Sequence, residues 1–364
     1  MDTTLQGFSA QIADAAAGGA PLRIRGGGSK DWYGQDLQGA LLDTTAYRGI
    51  TDYEPTELVI TARCGTPLAE IEAHLTRHGQ MLAFEPPHFG PDATLGGMVS
   101  AGLSGPRRQA AGSVRDFVLG AVLMNGRGEL LHFGGKVMKN VAGYDVSRLL
   151  TGSLGMFGLI AEVSLKVLPR PVAELSLRLE MQQDEALRRL NEWGGQPLPI
   201  SASSWADGVL TLRLSGARSA VEAARARIGG DALDQADAWW HAVREQDHPF
   251  FADAMAHPNG LWRLSLPSSA PPVALPGRQL IEWGGAQRWL LVDADADADA
   301  DADAATIRAA AAQAGGHATL FRGGARDAGV FHPLAPAVRT IHKQLKDAFD
   351  PAGVFNRGRM YREF

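Results

Sequence analysis

Hydrophobic and polar positions along the chain fall into two regimes. In the first, short strand-like apolar runs alternate with glycine-rich stretches. Residues 58–63, Leu-Val-Ile-Thr-Ala-Arg, are β-branched and bounded by Glu54-Pro55 and Gly65, which predicts a strand. Residues 22–24, 40–43 and 161–168 predict further strands, and 117–124 and 129–133 a hairpin turning at Asn125-Gly126. Residues 4–17 have helical spacing, and Pro67 opens a helix that places Leu68, Ile71 and Leu75 on one face. Pro169-Arg170-Pro171 ends this regime and predicts a domain boundary. Beyond it the order becomes strand (175–180), helix (184–193), strand (209–214) and helix (220–228), then strands at 262–266 and 288–292. That order predicts a small α+β domain of ferredoxin-like type, followed by a short helix and a tail. The run 293–304 alternates Asp and Ala; both are poor strand formers and the charges repel, so it reads as a frayed acidic helix entry without chemistry.

The stretch from 85 to 116 fits neither period. It carries six glycines, Gly90, Gly96, Gly97, Gly102, Gly105 and Gly112, with four prolines. Such a segment is poorly suited to a packed helix, but it can bring backbone N–H groups close to an anion. A second cluster, Arg25-Gly26-Gly27-Gly28-Ser29-Lys30, follows the first predicted strand, and Gly152-Ser153-Leu154-Gly155-Met156-Phe157-Gly158 is a third. One glycine loop is an ordinary turn; two, each after a strand, can clasp the two ends of a pyrophosphate. The usual nucleotide signatures do not fit. Asp31 stands where a Rossmann fingerprint needs its third glycine, and Val137 follows Gly135-Lys136 where a P-loop needs Ser or Thr. Gly102-Leu103-Ser104-Gly105 is one residue short of a nucleophile elbow.

At 364 residues the chain has room for two cores, and 45% hydrophobic with 21% charged residues describes an ordinary globular protein. A net charge of −5 gives no reason to expect nucleic acid or an anionic membrane surface as partner. The single cysteine, Cys64, excludes an internal disulfide framework and an all-cysteine iron–sulfur cluster. No secretory signal or membrane span is legible. The expected address is the cytoplasm, with any docking at the inner face of the membrane made through a partner.

The order of Arg25 to Lys30, Ala93-Thr94-Leu95-Gly96-Gly97, Gly112-Ser113-Val114-Arg115-Asp116 and the Gly152 cluster resembles the vanillyl-alcohol-oxidase/PCMH-type flavoproteins. GSVRDFVLG (112–120), GGKVMKNVAGYDVSRLL (134–150), EWGGAQRWL (282–290), AGGHAT (314–319) and DPAGVFNRGRMY (350–361) are similar to the FAD-binding subunits of bacterial glycolate oxidases. The resemblance implies an α+β architecture with a two-part PCMH-type FAD-binding domain (1–170), a ferredoxin-like cap (171–335) and a C-terminal segment (336–364) returning to the flavin. It implies that Arg25, Gly26, Gly27, Gly28, Ser29 and Lys30 hold the pyrophosphate from one side. Thr94, Leu95, Gly96, Gly97, Ser100, Ala101 and Gly105 would line the pyrophosphate and isoalloxazine, with Pro86 beside them. Gly112, Ser113 and Asp116 would continue that wall, Ile160 would approach the adenine, and Asn356 would close over the ring. Arg357 departs from the proline common after that asparagine. Gly28 stands where relatives that bind FAD covalently carry histidine, so the FAD is expected to be non-covalent.

The resemblance further implies oxidation of glycolate, a small 2-hydroxy acid, to glyoxylate, with a sister flavoprotein subunit and an iron–sulfur subunit as partners. The His-rich metal motif and Glu-His-Gly motif of the family's 2-hydroxy-acid dehydrogenases are missing: His317, His332 and His342 are scattered, and no metal is expected. A non-catalytic electron-transfer or scaffold role therefore stands beside the catalytic one, as does a standalone oxidoreductase for another 2-hydroxy acid. His88 is the histidine best placed to touch cofactor or substrate, while His74 and His78 read as a solvated helix face. Arg107, Arg108, Lys136 and Lys139 are the cations nearest the flavin loops in sequence, and Trp239, Trp240, Trp283 and Trp289 read as core.

Overall fold

The computed structural model describes residues 2–136, 144–252, 254, 259–292 and 300–364. Lys139 and most of the Asp-Ala run lie outside them. The chain divides into two compact units, one of Met1–Ser104, Gly112–Arg170 and Pro333–Phe364, the other of Gly105–Ala111 and Pro171–His332.

In the first unit, helix Thr3–Gly18 is capped by Asp2 and buries Leu5, Phe8, Ile12 and Ala15, at the spacing of one helical face. That face meets Leu22, Leu42, Met124, Leu159, Val354 and Phe355 in one core. Strand Leu22–Arg25 pairs in parallel with Ala40–Asp43. A five-stranded antiparallel sheet runs in the order Ile50–Glu54, Val59–Arg63, Leu159–Lys166, Val118–Met124, Leu130–Gly134. The expected hairpin forms, but its turn is longer than an Asn-Gly pair. Met124 opposes Leu130, the Asn125 side chain accepts from the N–H of Arg127 and Glu129, and Gly128 takes the positive φ of 73°.

The glycine-rich stretch does contain a packed helix, contrary to expectation. Leu95–Ala101 is helical, with Leu95, Gly96, Met98, Val99 and Ala101 buried and Thr94 as N-cap. Its small residues are the reason: a Cβ on Gly96 would stand 2.7 Å from Cys64 Cβ, so glycine lets the helix lie directly on the turn after Val59–Arg63.

The chain ends in this unit. Helix Pro336–Phe349 leads to Phe355, which bridges in parallel to Leu22. Lys346 is the helix's buried residue; its Nζ donates to Met156 O, Phe355 O and Asp350 Oδ2 at 2.7–2.8 Å. Asp350 also accepts from the N–H groups of Val354 and Phe355, so the pair closes a fully bonded buried knot.

The second unit is one eight-stranded antiparallel sheet. Its first half runs Asp231–Ala232, Ala173–Glu180, Val209–Gly216, Ile200–Ala206, with crossover helices Gln183–Gly194 and Arg218–Ile228: a ferredoxin-like order. Arg278–Glu282, Gln287–Leu291, Leu261–Ser265 and His317–Arg322 repeat that strand order, with helix Ala300–Gln313 before the last strand. The halves join where Ser204, Trp205 and Ala206 pair with Glu282, Ile281 and Leu280. The ferredoxin-like character holds, in a doubled form. EWGGAQRWL is the hub of the second half. Glu282 accepts from Gln287 and Trp289, and the buried Arg288, brought down to about 10 by burial, donates to the carbonyls of Gly285, Ala270 and Pro271.

Segment Gly105–Ala111 is anchored here. Trp283 Nε1 donates to Gly105 O at 3.0 Å, and Arg107 pairs with Glu174 at 2.7 Å. Partial burial opposes the charge on Glu174, but hydrogen bonds from Arg107 and Ser215 outweigh it and hold the carboxyl below its ordinary 4.5. A folded value below the unfolded one means that ionised Glu174 stabilises the unit at neutral pH, and that this is lost as the pH falls from about 4.5 through the folded value. Thermal melts between neutral pH and pH ~3 are expected to fall more steeply for the natural protein than for Glu174→Gln; parallel curves would contradict this.

Among the described residues, no helix is long and apolar enough to cross a membrane.

Candidate functional site

The glycine stretches, far apart in sequence, meet in the first unit. Strand Leu22–Arg25 delivers the first loop against residues 92–94. A Cβ on Gly26 would overlap Thr94 Oγ1, and one on Gly27 would overlap the Asp92 carbonyl and lie 2.8 Å from Asp92 Cβ. Only glycine permits this approach. Gly28 has φ 76°, and the Arg25 guanidinium fills the place of its missing side chain.

Around this junction opens a cleft of about 760 Å³, including space continuous with solvent. Arg25, Gly26, Gly27, Gly28, Ser29 and Lys30 form one wall. Thr94, Gly96, Gly97, Ser100 and Ala101 form the second, and Leu154, Gly155, Gly158 and Ile160 the floor. Asn356 and Arg359 arrive from the C-terminus. Asn356, at φ 40°, accepts from Ile24 N at 2.8 Å and donates to Leu154 O at 2.6 Å, fastening the tail to the strand and the third glycine cluster. A Cβ on Gly155 would stand 2.6 Å from its amide nitrogen.

The chemistry of the walls is that of an anion site. Among the described residues, the N–H groups of Gly26, Gly27 and Gly28 meet no backbone acceptor. On the facing wall the amides are already used: Leu95 N donates to Thr66 O, Gly96 N to Cys64 O and Gly97 N to Thr94 Oγ1. The first loop therefore offers the donors, and the second offers close packing. Among the described residues, three cations, Arg25, Lys30 and Arg359, line the cleft against one carboxylate, Asp31, which holds Arg25 at 2.6 Å. Cys64 also lines it, but burial pushes its thiol up to about 12, so it remains protonated and unreactive at neutral pH. A diphosphate with apolar appendages fits these walls.

The remaining expected site residues lie elsewhere. Leu95 points into the core, and Pro86 is buried in the segment whose His88 carbonyl accepts from Lys30. Ser113 and Asp116 form a helix-capping box: the Asp116 carboxylate accepts from both the N–H and the hydroxyl of Ser113 at 2.8 Å. Gly112 makes room for it, and Gly105 belongs to the second unit. His88 stands 3.1 Å from the Glu72 carboxylate rather than in the cleft, and His74 and His78 pack on Tyr53. Lys136 pairs with Asp52 on the surface, Arg107 with Glu174, and Arg108 lies over the Trp283 ring at 4.4 Å. Arg359, Leu154 and Gly155 were not singled out in sequence as cleft residues. The repeated Gly-x-x-Gly of the third cluster was the available signal for the latter two; for Arg359 there was only its place in the tail run.

A second cavity, of about 630 Å³ and likewise including space continuous with solvent, lies within the second unit beside Trp193, Gln196, Ser203 and Gly284. No charged side chain lines it among the described residues. No group of three or more His, Cys, Asp or Glu side chains that could hold a metal ion occurs among the described residues.

Residues 3–134 match the model of a family described as FAD binding domain. A D-lactate dehydrogenase of Archaeoglobus fulgidus is 31% identical over 50% of this chain and 41% of its own. Glycolate oxidase subunit GlcD of Bacillus subtilis is 36% identical over a shorter region, 23% of this chain and 18% of its own. Among solved structures, an alkyldihydroxyacetonephosphate synthase superposes over 98% of this chain and 75% of its own with a TM-score of 0.67 at 14% identity, a likeness of fold. Glycolate oxidase subunit GlcE of Escherichia coli is 51% identical over 98% of this chain and 97% of its own. With that degree of identity along nearly the whole of both sequences, the chain belongs to the family of the glycolate oxidase subunit GlcE, on a PCMH-type FAD-binding fold.

Proposed function

We propose that the cleft of the first unit binds FAD without a covalent bond, and that the chain serves as a flavin subunit of a complex oxidising glycolate to glyoxylate. The observation that carries this reading is the closure of two glycine stretches into one cationic cleft with unspent amides at Gly26, Gly27 and Gly28. In it, residues 26–30 face the diphosphate, Ser100 and Ala101 border the isoalloxazine, Ile160 borders the adenine, and the segment 336–364 closes the site with Asn356. Bound flavin supplies a two-electron acceptor for the C2 hydride of a 2-hydroxy acid. The chain's own part is to hold the diphosphate with amides and cations and to keep the ring against small residues, which admit a close approach.

One observation favours electron transfer over substrate oxidation in this chain. Removing the hydroxyl proton needs a base, and the described lining of the cleft holds no histidine or glutamate. Its one carboxylate, Asp31, is paired with Arg25, and its thiol is protonated. On this reading glycolate reacts on a sister flavoprotein subunit, and electrons continue to an iron–sulfur subunit. The purified chain is expected to be yellow, and anaerobic glycolate to bleach the complex but not the isolated chain. Bleaching of the isolated chain would instead make it catalytic. Acid denaturation is expected to release all the flavin, since Gly28 brings no side chain to bond it; colour left in the pellet would contradict this.

A further inference from the structure

Arg359 is 5% exposed, yet it belongs to a tail that could have been left loose on the surface. Its guanidinium Nη1 donates to Gln35 O, and Nη2 to Asp31 O at 2.7 Å and Lys30 O at 3.3 Å. Its own carbonyl accepts from Gln35 N at 2.8 Å, so main chain and side chain grip the same loop. The grip is passed inward. The Asp31 carboxylate holds the Arg25 guanidinium, and Arg25 occupies the space beside Gly28. Three backbone carbonyls turned toward one planar fork fix the path of residues 30–35, which follow directly on the first glycine loop.

From this chain of contacts we propose that Arg359 is a positioning residue for the flavin diphosphate: it shapes the first glycine loop from the C-terminal tail and acts through Asp31 and Arg25. The proposal rests on the FAD reading above. Lysine is no substitute. Its three donors spring from one tetrahedral nitrogen and cannot span carbonyls that a rigid fork serves from two nitrogens.

The test uses the full-length apoprotein titrated with FAD and followed by flavin fluorescence, for the natural chain, Arg359→Lys and Arg359→Gln. Both variants are expected to bind FAD roughly 10- to 100-fold more weakly, the loss of hydrogen bonds made by a charged group. For Arg359→Lys, which keeps the charge at the cleft, the salt dependence of the affinity is expected to stay as in the natural chain. Melting of the apoprotein is expected to change little for Arg359→Lys, which keeps stem and charge and remains informative if Arg359→Gln folds poorly. Natural affinity in Arg359→Lys would overturn the proposal, since charge alone would then suffice. A flattened salt dependence in Arg359→Lys would also overturn it, by making the Arg359 guanidinium a direct ligand of the diphosphate. A fall in apoprotein melting that accounts for the weaker binding would reduce the residue to a structural brace. A natural chain that takes up no FAD would sink the flavin reading itself, a separate outcome.

Discussion

Gly27→Ala is expected to leave the chain without flavin. The new Cβ would fall inside the Asp92 carbonyl, a backbone group that no rotamer change can move aside. The first glycine loop must then lift off residues 92–94 by more than an ångström. Misplacement of that size costs on the order of a hundredfold where oriented groups must act together, so affinity for FAD should fall by at least that much. Gly7→Ala is the matched control: it lies within helix Thr3–Gly18 and its Cβ meets nothing within 4 Å. There alanine is expected to be neutral or stabilising by up to ~1 kcal/mol. Flavin absorbance after purification, with circular dichroism to verify folding, reads both; a yellow Gly27→Ala protein would refute the contact between the loops.

The other large effect is expected at Lys346→Met. The substitution fills much the same volume but leaves the Asp350 carboxylate, 1% exposed, without its cation. Removing one member of a buried pair typically costs ~3–5 kcal/mol. For a unit of this size that corresponds to a fall of about 10 °C in melting temperature. The double variant Lys346→Met/Asp350→Asn is expected to recover part of the loss, because the stranded charge goes with it. Denaturant unfolding of all three measures it. A single variant as stable as the natural chain would mean that water or a relaxed backbone satisfies Asp350.

What could be read in the sequence follows from how local each signal is. Residues 58–63 and 209–214 announce strands because their own side chains prefer a pleated, half-buried surface. The helix spanning Gln183–Gly194 shows its buried face through Ala186, Leu187, Leu190 and Trp193. Strand Ile200–Ala206 was illegible: Ser201, Ser203 and Ser204 are buried, and Ser201 and Ser203 are satisfied by Ser215 and the Gly284 N–H, partners remote in sequence. The doubled sheet was hidden for the same reason, since the two halves share an order of strands rather than a pattern of residues. In the cleft, glycines betrayed a close approach but not what approached. Gly26 and Gly27 proved to be pressed on Thr94 and Asp92, whereas Gly112 served a helix cap. Arg359 could not have been foreseen, because carbonyls of residues 30–35 leave no trace in the identity of the side chains that carry them.

The path of the chain bears on its synthesis. The strand beginning at Leu22 acquires its neighbour Phe355 only after the whole of the second unit has been made. Most of the second unit emerges as an uninterrupted stretch and can fold while the first still waits for its last piece. Polypeptides that stop short of Phe355 would therefore carry a second unit able to fold and a first unit whose cleft still lacks Asn356 and Arg359.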